Sequence, residues 1–333
     1  MPQTMKAVRK AKDEPGLAVE DIPIPEVGHH DVLIQVEAAS ICGTDVHTVL
    51  YDVLAPGSII GHEYSGAIAR VGSDVTRWRV GDRVVGGGGV PPPGEESHIT
   101  TDPRFSYRPS GLTGGTRGGY AEQVLMEEWA PMAIPDGVSD EAAALCEPCA
   151  IAVHAVGISD LKVGDSVAVL GAGPIGLLCM QVARAAGAGK VFVSEPAPAR
   201  REAARSLGAD AVIDPTDEDA VSAMVSLTDG LGPDVVFECA AAKSTLDQVV
   251  LVAIAWEPTS VLPVEWLGRE VVLKTSASKS ADDWGLALEL IRSGKVRMEP
   301  LLSEASFVPL DGVQGAFEAL FKPTTQLQMV VKP

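Results

Sequence analysis

Two segments near the start of the chain carry side chains that can ligate a metal ion. Cys42 is followed by Asp45 and His47, and His62 is followed directly by Glu63. Cysteine sulfur, histidine nitrogen and carboxylate oxygen are donors that zinc accepts, and three such ligands with one open position are typical of catalytic zinc sites. Because spacing alone does not bring the two segments together, an ordinary structural role for each residue stays open at this point.

A glycine-rich run in the middle of the chain indicates a second kind of chemistry. Gly171-Ala172-Gly173-Pro174-Ile175-Gly176 follows the apolar residues 167–170 and opens an amphipathic segment. In a strand–turn–helix unit, the first glycine permits the tight turn, the second lets backbone amides approach a pyrophosphate, and the third lets helix and strand pack closely. The helix N-terminus then offers N–H groups to the phosphate charge. We therefore predict a dinucleotide site formed by Gly171, Gly173, Pro174, Ile175 and Gly176.

A carboxylate follows the next predicted strand. Glu195 lies 24 residues after Gly171, where it can accept hydrogen bonds from the hydroxyl groups of the adenosine ribose. The same negative charge repels a 2′-phosphate, so the sequence favours NAD over NADP. Arg200 is a further candidate for cofactor binding. Together with Arg201 it could instead accommodate a phosphate, and the ordinary alternative for both is a solvated first turn of a helix.

The residues around the candidate metal ligands have the pattern of β-structure. Residues 30–40 alternate between apolar and polar side chains, and similar short strand signals follow at 65–71 and 82–85. Residues 86–119 are mostly glycine, proline, serine and threonine, which predicts a long irregular loop. This loop could border the substrate cleft or an oligomer interface.

After about residue 150 the pattern changes to alternating strands and helices. Such alternation predicts an α/β fold with a doubly wound parallel sheet. The six strand candidates are residues 166–170, 191–194, 211–213, 234–238, 250–255 and 270–274, and the helical patterns between them include residues 174–186, 200–207 and 217–227. A further helix is predicted at 284–293, after which we expect the chain to return to the first domain.

Length and composition limit the classes of protein that fit this chain. A length of 333 residues favours two domains. The formal charge of −19 argues against nucleic acid and anionic membranes as partners, because both need a basic surface. Residues 1–17 lack the apolar core of a signal peptide. Five cysteines, an odd number, indicate reduced thiols, and we expect a cytoplasmic protein.

Taken in order, these motifs resemble those of the zinc-dependent medium-chain alcohol dehydrogenases, nearest to the butanediol, sorbitol and threonine dehydrogenase branch. The resemblance implies a GroES-like β-rich catalytic domain over residues 1–149, a Rossmann NAD-binding domain over 150–278, and a C-terminal return to the catalytic domain over 279–333. The matching segments cover most of the chain and are Cys42-Gly43-Thr44-Asp45-Val46-His47, Gly61-His62-Glu63, Gly81-Asp82-Arg83-Val84, Gly119-Tyr120-Ala121-Glu122, Cys146-Glu147-Pro148, residues 171–176 and residues 317–333.

The resemblance also implies a set of zinc ligands. Cys42 and His62 would bind a catalytic zinc, and either Glu63 or Glu147 would supply the third protein ligand, without the family pattern choosing between them. Asp45 would orient His62 through its distal ring nitrogen. A local turn or cap is the ordinary alternative for Asp45.

The implied reaction is hydride transfer between NAD and a secondary alcohol or vicinal diol, reversibly giving a ketone. The resemblance implies that Thr44 passes the alcohol proton, through a ribose hydroxyl, to His47 near the surface, although His47 could be an ordinary surface histidine. We expect a homodimer or homotetramer that acts on a small molecule. Two hypotheses compete: a zinc-free quinone or enone reductase that uses NADPH, and a non-catalytic dinucleotide-binding sensor. The Cys42, His62 and Glu195 positions weigh against the reductase.

The chain departs from the family at the structural zinc. Most relatives carry a cysteine-rich lobe near residues 86–119, whereas this chain has no cysteine between Cys42 and Cys146. A four-cysteine site in that loop is therefore impossible, and we expect one catalytic zinc per chain and no structural zinc. Cys146 and Cys149 form a C-x-x-C pair with no second pair to complete a zinc knuckle, and we interpret Cys149 as a packing residue rather than a redox partner.

Overall fold

The computed structural model describes residues 3–11, 16–87, 117–240, 250–252, 272–276, 280–321 and 326–333. The chain divides into two units, one comprising Met1–Glu147, Lys279–Arg292 and Leu302–Pro333, the other comprising Pro148–Ser278 and Ser293–Leu301. Most of the loop predicted for residues 86–119 lies outside the described residues. Residues 293–301, which we expected to return to the first domain with the rest of 279–333, belong to the second unit. The functional domain boundaries stay a prediction.

The described residues form the following strands and α-helices. The strands are β1 (Thr4–Lys10), β2 (Leu17–Pro23), β3 (Asp31–Ser40), β4 (Glu63–Val71), β5 (Arg83–Val85), β6 (Gln123–Glu127), β7 (Met132–Ala133), β8 (Ser166–Leu170), β9 (Lys190–Ser194), β10 (Ala211–Ile213), β11 (Val235–Glu238), β12 (Val250–Leu251), β13 (Lys274–Thr275), β14 (Phe307–Pro309) and β15 (Val330–Lys332). The α-helices are α1 (Gly43–Leu50), α2 (Asp140–Ala144), α3 (Cys146–Gly157), α4 (Pro174–Ala186), α5 (Pro198–Ser206), α6 (Ala220–Leu227), α7 (Ala281–Arg292) and α8 (Val313–Leu320).

In the first unit, the antiparallel pairing of β3 with β4 positions the candidate metal ligands. The sheet order is β14-β15-β3-β4-β5-β7, with β6 also paired to β3. Ser40, the last residue of β3, lies opposite Glu63, the first residue of β4. Cys42 follows β3 by two residues and His62 precedes β4 by one. The register therefore brings two segments that are distant in sequence to the same end of the sheet.

An apolar cluster supports this sheet. Ile34 of β3 and Ile68 of β4 pack in one cluster with Phe317 of α8, and all three are at most 1 % exposed. Burying a side chain of this size contributes about 1.5–3 kcal/mol. Tyr64 and Tyr120 belong to the same cluster, so the core reaches the segments that carry the candidate ligands.

The second unit contains a six-stranded parallel sheet in the order β10-β9-β8-β11-β12-β13. The chain runs outward from β8 to β10 and then returns to β11 on the other side of β8. In sheets of this type, ligands bind at the carboxyl ends of the strands where the order reverses. The predicted doubly wound α/β fold is confirmed. For the last two predicted strands the structure describes only β12 and β13, because residues 253–271 lie outside the described residues.

Local sequence signals fix the strand–helix junction at this reversal. Strand β8 ends at Leu170, and Gly171 turns the backbone at a φ of +95°, a region that favours glycine. Helix α4 begins at Pro174, where the missing N–H is not needed, and ends before Gly187, which has a φ of +112°. The predicted helix 174–186 therefore coincides with α4.

Other helix ends differ from the prediction by a few residues. Helix α6 begins at Ala220 rather than at residue 217, because the Asp219 side chain accepts the N–H of Ser222 at 2.8 Å and caps the helix. Helix α5 begins two residues earlier than predicted and α7 three residues earlier. Within the described ranges, no helix has the length and apolar character needed to cross a membrane.

Candidate active site

Cys42 stands at the N-terminus of α1 as its capping residue. Its sulfur accepts the N–H of Thr44 at 3.4 Å, and its own N–H donates to Asp45 Oδ2 at 3.3 Å, which completes a capping box. The N-terminal end of a helix dipole favours negative charge. The start of α1 therefore contributes one favourable interaction to a thiolate at this position.

His62 is oriented by Asp45. The two side chains are nearly buried, and His62 Nδ1 lies 3.1 Å from Asp45 Oδ1. Because a carboxylate accepts, Nδ1 carries the hydrogen, and Nε2 is the ring atom that can ligate a metal. This contact supports the predicted role of Asp45, which is to orient His62.

Glu63 lies beside these two residues. Its side chain is 1 % exposed, Oε2 accepts a hydrogen bond from the Ser40 hydroxyl, and Oε1 lies 3.9 Å from His62 Nε2. One ligand atom each from Cys42, His62 and Glu63 falls within 4.8 Å of the others. A thiol, an imidazole and a carboxylate converging in this way match the donor set of a three-ligand zinc site.

The negative charges around Cys42 favour the binding of a cation at this group. Burial, followed by the negative charges of Glu63 and Asp45, raises the pKa of the Cys42 thiol well above its usual value, whereas the Thr44 N–H lowers it. A buried thiolate among carboxylates is unfavourable unless a positive charge compensates it, and a bound divalent cation would do so as it displaces the thiol proton. The residues present therefore fit zinc.

Glu147, the other predicted candidate for third ligand, is placed differently. It lies in the first turn of α3, is 3 % exposed, and is not a member of the three-residue group. The neighbouring Cys146 and Cys149 are fully buried, and neither forms a disulfide. Burial raises the pKa of Cys149, which makes this thiol a poor nucleophile and agrees with a packing role.

Thr44 and His47 share one face of α1. They are three residues apart, a spacing that places side chains next to each other on a helix. His47 Nδ1 donates to the Gly43 carbonyl oxygen at 2.7 Å, and the ring stacks on Tyr51 with centroids 6.0 Å apart. A neutral His47 ring therefore carries its hydrogen on Nδ1 and can take up a proton at Nε2.

In the second unit, the glycine-rich turn leaves room for a phosphate. A β-carbon on Gly176 would lie 1.9 Å from the Gly171 carbonyl oxygen, so only glycine fits there. A β-carbon on Gly173 would approach no atom more closely than Arg200 Nη1 at 3.9 Å. Gly173 caps α4 without a side-chain hydrogen bond, and because Pro174 has no N–H, the first N–H groups of the helix are those of Ile175 and Gly176. The residues fit a pyrophosphate.

Glu195 follows β9 and is 3 % exposed. Its Oε2 accepts the N–H of Ala172 at 2.7 Å, and its Oε1 accepts the N–H of Ala197 at 2.8 Å. The carboxylate is thus fixed against the glycine-rich turn, and both oxygens retain lone pairs for further donors.

The two neighbouring arginines differ in their contacts. Arg201 pairs with Asp214 at 2.7 Å and donates to the carbonyl oxygens of Glu195 and Pro196 at 2.9 and 2.5 Å. Arg200 lies beside Gly173, and its buried Nε has no hydrogen-bond partner within the described part of the chain. Arg200 is therefore the arginine whose side chain approaches the glycine-rich turn.

Two side chains at the metal group had no role in the sequence-based prediction. Ser40 holds Glu63, and the Tyr120 hydroxyl donates to Asp45 Oδ2 at 2.7 Å. Burial, and then the negative charge of Asp45, raises the pKa of Tyr120 well above its usual value, so the phenol remains a donor. Tyr120 belongs to the Gly119-Tyr120-Ala121-Glu122 motif, which was the only sequence signal that pointed to it.

Two family profiles match separate parts of the chain. Residues 28–136 match the alcohol dehydrogenase GroES-like domain. Residues 174–291 match the zinc-binding dehydrogenases. The first match contains the Cys42 group and the second begins at the N-terminus of α4.

Individual relatives extend over the whole chain. An L-threonine 3-dehydrogenase from Rhizobium etli (strain CIAT 652) is 33 % identical, with 96 % of each chain covered. The crystal structure of 2R,3R-butanediol dehydrogenase from Bacillus subtilis has a TM-score of 0.87 at 32 % identity over 99 % of each chain. A zinc-binding dehydrogenase from Sinorhizobium meliloti 1021, bound to NADP, has a TM-score of 0.86 at 29 % identity over 99 % of this chain and 100 % of that chain.

Proposed function

The chain belongs to the zinc-dependent medium-chain alcohol dehydrogenase family, and from that premise we propose that it interconverts a secondary alcohol or vicinal diol and the corresponding ketone, with NAD as the coenzyme. The convergence of Cys42, His62 and Glu63 within 4.8 Å is the observation that carries this proposal. The substrate class follows from relatives that are named for threonine and butanediol, since both of these molecules contain a secondary alcohol.

In this proposal Cys42, His62 and Glu63 hold the zinc. Bound zinc supplies Lewis-acid activation of the substrate oxygen, and bound NAD supplies the hydride acceptor. Asp45 keeps the imidazole of His62 turned with Nε2 toward the ligand group, and Ser40 keeps one oxygen of Glu63 engaged so that the other faces the group. Glu147 stays a candidate for exchange with Glu63.

The proton released on alcohol oxidation needs a route to solvent. We assign its first acceptor to the Thr44 hydroxyl and its exit to His47, which can take it up at Nε2 because Nδ1 donates to Gly43. Their shared face on α1 supports this assignment. Proton transfer by a positioned side chain typically contributes about 100- to 10,000-fold to the rate.

The preference for NAD rests on the surroundings of Glu195. Its carboxylate would accept ribose hydroxyls and repel a 2′-phosphate. Of the two arginines that could offset this repulsion, Arg201 is already paired with Asp214 and with two carbonyl oxygens. Arg200 would contact the coenzyme from beside Gly173. The NADP bound to the Sinorhizobium meliloti protein makes a direct comparison of the two coenzymes necessary.

A substrate screen tests the function. Zinc-loaded protein is assayed by NADH absorbance with vicinal diols, acyclic polyols, hydroxyketones and L-threonine, with primary alcohols as the matched control. We expect NAD reduction by at least one secondary alcohol, and elemental analysis should give about one zinc per chain. Enone reduction with NADPH by zinc-free protein would identify the reductase alternative, and coenzyme binding without turnover of any alcohol would identify the sensor. Two tightly bound zincs would contradict the single-site proposal.

We also propose that the protein is a homodimer or homotetramer. Strand β13 is the last strand in the described sheet order, and Val272 and Leu273 just before it are 68 % and 46 % exposed. Pairing such an edge with its symmetry mate removes exposed apolar surface and unpaired backbone groups. Light scattering should report two or four chains per particle, and Leu273→Lys should shift the distribution toward single chains. A monomeric wild-type protein at micromolar concentration would contradict the proposal.

A further inference from the structure

The Tyr120 hydroxyl is buried against Asp45, the residue that contacts His62 of the candidate metal group. Its oxygen lies 2.7 Å from Asp45 Oδ2, and the side chain is 0 % exposed. Asp45 in turn receives the ring N–H of His62 on its other oxygen. A single carboxylate thus joins the phenol to the imidazole. The hydroxyl also lies 3.2 Å from the Ser40 carbonyl oxygen, but the charged Asp45 Oδ2 is the nearer acceptor of its one hydrogen.

The backbone around Tyr120 holds the phenol in place. The N–H groups of Gly119 and Tyr120 donate to the carbonyl oxygens of Gly61 and Ile60 at 2.6 and 3.0 Å, so the segment is tied directly to the residues that precede His62. The ring also packs edge-on against Phe317, with centroids 6.1 Å apart. A hydroxyl carried on such a fixed ring is a rigid anchor for Asp45.

Gly61 provides the space for this arrangement. It has a φ of +94°, and a β-carbon there would lie 2.6 Å from the Tyr120 ring. The ring therefore lies directly beneath the Gly61-His62-Glu63 segment. The segment that contains Tyr120 therefore supports the segment that supplies the candidate ligands His62 and Glu63.

We infer that Tyr120 is a positioning residue for the metal site, which holds Asp45 and through it keeps His62 in the ligating orientation before the metal binds. This inference rests on the proposed zinc site. Without the hydroxyl, the contact that Asp45 Oδ2 keeps among the described residues is the weaker one with the Cys42 N–H at 3.3 Å. The carboxylate then gains freedom to rotate, and the imidazole is less well fixed. Residues that orient a metal-bound histidine typically contribute about 10- to 100-fold to metal affinity.

Tyr120→Phe tests the inference, because it removes the hydroxyl and keeps the ring against Phe317 and Gly61. Zinc affinity is measured by competition with a chromophoric chelator, and the cobalt-loaded proteins are compared by their visible absorption spectra. We expect zinc binding to weaken by about 10-fold and the cobalt spectrum to change. Tyr64→Phe is the matched control, since Tyr64 lies in the same core cluster and donates to Met126 Sδ instead. In this control, zinc affinity should stay within about twofold of wild type.

A double-mutant cycle with Asp45→Asn separates positioning from general stabilisation. If Tyr120 acts through Asp45, adding Tyr120→Phe to Asp45→Asn should weaken zinc binding little further. Full additivity would overturn the inference, as would a Tyr120→Phe protein that binds zinc like wild type and melts at the same temperature as the Tyr64→Phe control. A wild-type protein that fails to bind zinc at all would instead overturn the proposed function, so the two failures are distinguishable.

Discussion

Replacing Cys42 by serine is expected to remove zinc binding and to lower turnover by about 1000-fold or more, while NAD still binds. Serine oxygen is a poor zinc ligand at neutral pH because its hydroxyl remains protonated. The same oxygen is a preferred N-cap. Since the Cys42 sulfur now accepts the Thr44 N–H at the start of α1, serine can take over this hydrogen bond. The substitution therefore removes the ligand without removing the cap.

The measurements are elemental analysis, turnover with the best alcohol of the screen, and NAD binding followed by protein fluorescence. Cys146→Ser is the matched control, because Cys146 is a buried cysteine of the same unit that contacts the Trp284 carbonyl oxygen at 3.7 Å, a contact that serine can also make. The control should keep its zinc. A Cys42→Ser protein with full zinc content and wild-type turnover would refute the assignment of Cys42 as a ligand.

The second large effect is expected at Glu195. Wild-type protein should use NAD at least about 100-fold better than NADP, judged by kcat/KM, because the buried Glu195 carboxylate would lie beside the 2′-phosphate while Arg201 is engaged by Asp214. A preference of this size corresponds to roughly 2–3 kcal/mol. Glu195→Ser should lower kcat/KM for NAD by about 10- to 100-fold, since charge-assisted hydrogen bonds to the ribose are lost. The same change should improve the relative use of NADP.

Glu202→Ser controls for the change in net charge. Glu202 lies on the adjacent helix α5 with a side chain that is 75 % exposed, so the substitution removes one negative charge without touching the glycine-rich turn. Thermal unfolding is recorded for both variants, because Glu195 also accepts the N–H groups of Ala172 and Ala197. Equal efficiency of the two coenzymes with the wild-type protein would show that the proposed role of Glu195 is incorrect.

The features that were predictable from sequence depend on local rules. The glycine-rich turn and the limits of α4 follow from neighbouring residues, since Gly171 must adopt a positive φ and Pro174 begins the helix. The parallel sheet follows from a repeated pattern. Helix boundaries were less predictable. The predicted start of α6 at residue 217 was too early, because the side chain that caps the helix is that of Asp219.

The features that were not predictable depend on register between distant segments. Ser40 meets Glu63 only because β3 and β4 pair with those two residues opposite each other. Tyr120 reaches Asp45 only because residues 119 and 120 are hydrogen-bonded to residues 60 and 61. The sequence also left Glu63 and Glu147 equivalent, since the choice between them depends on where each carboxylate lies relative to Cys42 and His62.

All the groups that form or steady the candidate metal centre, including Ser40, Asp45 and Tyr120, come from a single folding unit, and the glycine-rich turn with Glu195 comes from the other. In the proposed function, activation of the oxygen and choice of the electron carrier are thus encoded in different segments of the chain, and those of the second unit are Pro148–Ser278 and Ser293–Leu301. Recombination could exchange these two segments for those of a homologue that prefers another nucleotide. The enzyme would then draw on a different pool of reducing equivalents and keep its Lewis-acid centre intact.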